Sequence, residues 1–175
     1  VEITAGEHDI LLFSSAGKSI RFRESDVRSV GRTAIGVRGI RLADKDKVVS
    51  LIVAESDDPI LTATEKGYGK RTQLDEYRTQ ARGGSGVISI KTSDRNGQVV
   101  GAIQVTDEDE MMLISDKGTL VRARASDVSI IGRNTQGVTL INIADDEALV
   151  SVAKIAESED DDDEIQGETE VSTED

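Results

Sequence analysis

The chain has no cysteine, no tryptophan, one histidine and only four aromatic residues. Without cysteine there is neither a disulfide framework nor a thiolate metal site. Phe13, Phe22, Tyr68 and Tyr77 are too few to build a row of rings on which unpaired bases stack, which argues against a reader of single strands or RNA loops. His8 has no partner set for acid–base chemistry and reads as a surface residue. No apolar run approaches the ~20 residues that cross a bilayer, and no signal-peptide pattern is present. The expectation is a soluble, intracellular protein with no membrane partner. No stretch has the periodicity of a long amphipathic helix, so nothing is offered to a major groove. The sequence starts at Val1 rather than at methionine, and is expected to be a piece of a longer chain.

What the sequence does contain is repetition. The stretch Gly31–Leu42 returns as Gly132–Ile143, with a weaker copy at Ala81–Thr92. Gly36, Gly86 and Gly137 recur at steps of 50 and 51 residues, and so do Gly17, Gly67 and Gly118. A fixed step of this size marks a repeat architecture.

Within each copy the pattern is that of short strands. Asp9–Phe13 is apolar, Ser15-Ala16-Gly17 turns, and Ser19–Arg23 alternates with Ile20 and Phe22 on one face. Val37–Leu42 and Val48–Val53 complete the first unit. The second reads Ile60–Thr64, Gly69–Gln73, Val87–Thr92 and Val99–Val105, with Asn96-Gly97 as a two-residue hairpin signal. The third reads Met111–Ser115, Leu120–Arg124, Val138–Ile143 and Leu149–Ile155. Val1–Gly6 reads as the end of a strand from a preceding unit. Four strands per ~50 residues predict an all-β, propeller-like fold of about three four-stranded blades, each hiding its faces against its neighbours. The expected boundaries are 1–8 for the end of a preceding blade, then blades at 9–57, 58–108 and 109–156, then a tail at 157–175.

Charge is uneven. The formal net charge is -13. All 21 bases lie before residue 157, whereas Glu157–Asp175 holds 11 acids and no base. Such a block cannot offset its ordering entropy and is expected to be a disordered acidic tail. It would solubilise the chain, or compete with nucleic acid for a basic surface. In the body, charge sign alternates with the repeat. Lys18–Arg41 carries seven bases and two acids, Lys66–Arg95 seven and three, and Lys117–Arg133 four and one. Asp44–Glu65 holds six acids and two bases, and Asp107–Asp116 five acids and none. Equivalent positions in stacked blades share a side, so the bases are expected to form a stripe, the electrostatic footprint of nucleic-acid binding. With neither stacking rings nor a recognition helix, the expected contact is with the phosphates of duplex DNA.

No catalytic constellation is present. Gly84-Ser85-Gly86 lacks the rest of a nucleophile elbow. Arg82-Gly83-Gly84-Ser85-Gly86 lacks the Gly-Lys-Ser/Thr ending of a P-loop. Asp107–Glu110 reads as a solvated turn.

The sequences at Gly31–Leu42, Gly67-Tyr68-Gly69-Lys70-Arg71-Thr72, Gly86–Lys91 and Gly118–Ile143 resemble the C-terminal domain of bacterial DNA gyrase A, and the likeness extends over 1–156 and the acidic tail. The resemblance implies a six-bladed β-pinwheel in which neighbouring blades exchange strands, with this chain as roughly its last three blades. It implies that duplex DNA wraps around a basic perimeter to support ATP-dependent negative supercoiling. It places ATP, Mg2+ and the strand-cleaving tyrosine elsewhere in an A2B2 assembly with gyrase B, with no cofactor on this chain, in the bacterial cytoplasm at the nucleoid. One motif departs. The family's gyrase box, Gln-Arg-Arg-Gly-Gly-Lys-Gly, is only echoed by Gln80-Ala81-Arg82-Gly83-Gly84-Ser85-Gly86. By repeat position the expected DNA contacts are Arg21, Arg23, Arg32, Lys70, Arg71, Arg82, Arg122, Arg124 and Arg133. The alternatives are the corresponding domain of topoisomerase IV, or a propeller-type scaffold for an acidic protein.

Overall fold

A computed structural model of the chain describes residues 1–155. The expected tail, and the last residue of the third expected blade, lie outside them. The described residues form eleven β-strands and three short 3-10 turns. The first repeat contributes β1 (Asp9–Ser14), β2 (Lys18–Arg23) and β3 (Val48–Ala54). The second contributes β4 (Ile60–Thr64), β5 (Tyr68–Thr72), β6 (Val87–Ile88) and β7 (Val99–Gln104), and the third β8 (Glu110–Ser115), β9 (Leu120–Arg124), β10 (Val138–Thr139) and β11 (Leu149–Lys154).

β1 lies between β3 and β2, which explains its nearly continuous apolar run: five of its six residues are buried. β2 lies further out and alternates, burying Ile20 and Phe22 and exposing Lys18 and Arg23. Its antiparallel register sets Ile10 against Phe22 and Leu12 against Ile20. β4–β5 and β8–β9 repeat this hairpin.

The sheets do not coincide with the sequence repeats. Their strand orders are β3-β1-β2-β6, β10-β5-β4-β7 and β11-β8-β9. Each of the first two sheets thus takes its fourth strand from the repeat that follows, as the resemblance implied. The third sheet has three strands among the described residues, and β9 is its free edge.

Strand exchange accounts for the departures from the sequence expectations. Val37–Leu42 is not a strand, because no sheet of an earlier repeat is described for it to pair with. Val87–Thr92 and Val138–Ile143 shorten to two paired residues each. Val1–Gly6 is irregular too; Thr4 and the Gly6 amide bond instead to the Glu24 carboxylate. Asn96-Gly97 does not close a hairpin, since β6 and β7 belong to different sheets. Gly97 takes φ +73°, but Asn96 is fully buried, and its amide donates to the carbonyls of Lys91 (2.8 Å) and Gln136 (3.1 Å).

Besides a cluster of Ile10, Ile20, Phe22 and Ile40 within the first repeat, the core lies at the seams between blades. Leu11, Phe13, Ile60, Leu74, Tyr77 and Ala102 join the first repeat to the second, with Phe13 and Tyr77 edge to face at 5.8 Å. A larger cluster, including Leu61, Met111, Leu113, Val128, Ile141 and Leu149, joins the second to the third. Glycine lets backbones meet there. Gly17 has φ +80° and its carbonyl accepts the Ser89 amide; Gly67 has φ +75° and accepts the Leu140 amide, both at 2.8 Å.

Candidate nucleic-acid interface

Arg21, Arg71 and Arg122 occupy the same register on three equivalent strands, opposite Leu11, Leu61 and Met112. The periodic placement expected from the sequence is therefore present. The side chains, however, do not share one fate.

Arg21 is largely buried. Its Nε donates to Asp9 at 2.6 Å, and its guanidinium reaches the carbonyls of Leu74 (2.9 Å) and Tyr77 (3.4 Å) in the next repeat. Arg71 is 5% exposed; its Nε donates to the Val128 carbonyl at 2.8 Å and it pairs with Asp107. Val128 stands in the third repeat where Tyr77 stands in the second. Arg82 reaches backwards instead, to the carbonyls of Asp26 (2.9 Å) and Arg38 (3.0 Å). Arg133 repeats this on Ile88 at 2.8 Å, with Glu76 at 3.8 Å. Repeat position assigns these four arginines to phosphate; in the structure each guanidinium donates to backbone carbonyl oxygen of a neighbouring repeat.

Lys70 is likewise not free for DNA. It is fully buried, and its Nζ donates to Gly132 O (2.7 Å), Arg133 O (2.6 Å) and Thr135 Oγ1 (3.1 Å). The equivalent residues are Ile20 and Val121, so this lock is peculiar to one seam. Burial pushes the Lys70 ammonium down to about 8, with Arg133 acting in the same direction and Glu76 against it. The unfolded chain therefore binds more protons than the folded one between about pH 8 and the ordinary lysine value, and stability rises with pH there. Burial moves the Tyr77 phenol upward, so its opposing effect begins only near pH 10. We expect the difference in urea midpoint between the chain and Lys70→Met to change from pH 7.5 to 9.5 in the chain's favour. A pH-independent difference would refute the buried ammonium.

The other expected contacts are exposed. Arg23 is 61% exposed in its side chain, 3.2 Å from Asp9, and Arg122 is 64% exposed and paired with Glu110. Arg124 and Arg32 are also exposed. Arg32 is the counterpart of Arg82 and Arg133, but no earlier repeat is described for it to reach.

The structure adds residues beyond the expected set. Arg28 and Arg78 are exposed just beyond the 3-10 turns Glu24–Asp26 and Leu74–Glu76, one repeat apart. Arg41 and Lys91 are exposed and also one repeat apart; their amides bond to Gly84 and Thr135, loops of the following repeat, both at 2.8 Å. The signal available in the sequence is a 50-residue step between bases. Three of the four aromatics are buried and the fourth, Tyr68, lies beneath Arg95 at 4.8 Å, so no stacking platform is exposed among the described residues.

The family described as DNA gyrase C-terminal domain, beta-propeller, matches residues 8–55, 58–106 and 109–156, one segment per repeat. The chain belongs to this family. DNA gyrase A of Klebsiella oxytoca is 60% identical over 161 residues, covering 92% of this chain and 18% of the relative. That of Escherichia coli K12 is 57% identical over 163 residues, covering 93% and 19%. The chain therefore spans under a fifth of the length of these relatives. Among solved structures, a DNA gyrase A C-terminal domain superposes with a TM-score of 0.81 at 30% identity, covering 87% of this chain and 52% of that one. The C-terminal domain of DNA topoisomerase IV gives 0.83 at 26%, covering 88% and 48%.

Membership in the gyrase C-terminal domain family gives the echo of the gyrase box a structural setting. Gln80–Gly86 is the loop that carries Arg82. Its Gln80 amide donates to Arg21 O at 2.8 Å, and its Gly84 carbonyl receives the Arg41 amide. The loop that echoes the gyrase box is thus here a seam loop with exposed bases beside it.

Proposed function

We propose that this chain is a non-catalytic DNA-wrapping module of gyrase A, which supports ATP-dependent negative supercoiling by a larger A2B2 enzyme in the cytoplasm. ATP, Mg2+ and the residues that cleave DNA belong to parts outside this chain. The observation that carries the reading is the periodic, exposed set of bases, Arg28 with Arg78, Arg41 with Lys91, and Arg23 with Arg124, on equivalent positions of stacked blades. Arginine is suited to phosphate oxygens by its planar fork. Contacts of this kind position a duplex without reading its sequence. The 57–60% identity to gyrase A relatives favours gyrase over topoisomerase IV.

Both end faces fit a longer array. Gly67 and Gly137 lie against backbone of an adjacent repeat, whereas their counterparts Gly118 and Gly36 face open space. The chain covers about half of the solved gyrase A domain, whose remaining half is of a size to supply such neighbours.

The test is charge reversal measured by fluorescence anisotropy on a random-sequence duplex. Arg78→Glu and Arg124→Glu should each weaken binding about tenfold or more, equally on unrelated sequences. Unchanged affinity in both would overturn this placement of the duplex.

A further inference from the structure

The geometry points to Arg21, Arg71, Arg82 and Arg133 as positioning residues that fix the angle between successive blades, and so the curvature of the bound DNA, without touching phosphate. This rests on the wrapping function proposed above. Two arginines cross each seam in opposite directions. At the first seam Arg21 reaches forward to the carbonyls at the 3-10 turn Leu74–Glu76, and Arg82 reaches back to Asp26 O and Arg38 O. At the second, Arg71 reaches forward to Val128 O and Arg133 back to Ile88 O. The acceptors Tyr77 O and Val128 O, and Arg38 O and Ile88 O, correspond at the repeat step.

Each forward arginine also pairs with an acid, Arg21 through Nε with Asp9 and Arg71 through Nη1 with Asp107, which restrains the orientation of its guanidinium. A planar fork with donors in two directions fixes orientation, which a single ammonium does not. The same seam is held at separate points by backbone: the Gln80 amide on Arg21 O, and the Ile131 amide on Arg71 O at 2.9 Å. Attachment at several separated points resists rotation of one blade on the other.

Resistance to rotation matters because DNA is stiff. Bending a site of 20–30 bp through 40–90° costs on the order of 1–6 kcal/mol. A protein surface holds that bend only if it is stiffer than the duplex. A seam able to hinge would let the DNA straighten while leaving the exposed phosphate contacts of each blade in place. The clasps therefore act on the shape of the complex more than on its affinity.

The test uses the full chain carrying Arg71→Lys and Arg133→Lys together, and separately Arg82→Lys. Lysine keeps the charge and loses the fork. Affinity for a duplex of about 30 bp is read by anisotropy, and bending by energy transfer between its labelled ends at saturating protein, well below the melting temperature. The expected result is a dissociation constant within about twofold of the parent, with the bend reduced by about half or more. Exchange of the Ile131 amide should rise about tenfold or more in the double variant. A merely structural role would lower the melting temperature but leave the bend of the folded, bound protein unchanged, and that outcome overturns the proposal. So does full retention of bend and exchange in the lysine variants, coupled with weaker binding in Arg→Ala, which would mark direct phosphate contact. If the parent chain itself fails to bind duplex, the wrapping function fails, while amide exchange still decides whether the clasps hold the seam.

Discussion

Gly67→Ala is expected to lower the stability of the chain by about 4 kcal/mol or more, a loss at the severe end for a single substitution. A Cβ on Gly67 would come within 2.3 Å of the Ile141 carbonyl oxygen and 3.0 Å of Ile141 Cγ2. The residue also has φ +75°, where a side chain is strained. Relief requires the third repeat to move away, and movement breaks the hydrogen bonds that Gly67 O receives from Leu140 (2.8 Å) and Ile141 (3.2 Å). Gly118 has the same turn and φ +86° but nothing within 4 Å of the added atom. Gly118→Ala should therefore cost only about 1–2 kcal/mol, the backbone strain alone. Thermal unfolding should separate the two by about 4–12 °C at this chain size. Equal losses would show that strain at the turn, not contact across the seam, sets the cost. In a longer chain with another repeat docked on the third, Gly118→Ala should become as costly as Gly67→Ala.

The affinity of the chain for duplex DNA should fall about a thousandfold between 50 and 200 mM monovalent salt. Six exposed bases at repeat-equivalent positions, Arg23, Arg28, Arg41, Arg78, Lys91 and Arg124, would each displace counterions from phosphate. About six such contacts give a slope near -5 in a plot of log affinity against log salt. Arg21, Lys70, Arg71, Arg82 and Arg133 are left out because each already donates to backbone carbonyl oxygen of another repeat. If all nine residues expected from repeat position contacted phosphate, the slope would approach -8. A slope near zero would remove the electrostatic basis of the function, and a slope near -8 would mean that further bases contact phosphate, the exposed Arg32 and Arg122 or seam arginines released from their carbonyls.

The fold is legible in the sequence where strands pair within one repeat. β1 and β2, β4 and β5, and β8 and β9 are each visible from an apolar run, a turn glycine and an alternating run. Pairing between repeats is what stays hidden. Val87-Ile88 and Val138-Thr139 have the residues of a strand, but their length is set by the neighbour they pair with. Asn96 misleads for a similar reason: in a hairpin-forming dipeptide, its buried amide donates here to carbonyls of two loops. The interface is half legible. Periodicity puts Arg21, Arg71 and Arg122 in register, as observed. Whether a guanidinium faces solvent or a neighbour's carbonyl depends on contacts 36 to 57 residues away, which no local pattern encodes.

Because each of the first two sheets borrows its last strand from the following repeat, no repeat can be cut out cleanly at its own sheet boundary. A whole unit of about 50 residues can nevertheless be added or removed with every lender still matched to a borrower. Such an architecture grows by gene duplication in integral steps. On the proposed wrapping function, the length of double helix it would span is therefore quantised, and reach on DNA would lengthen or shorten without a new kind of joint.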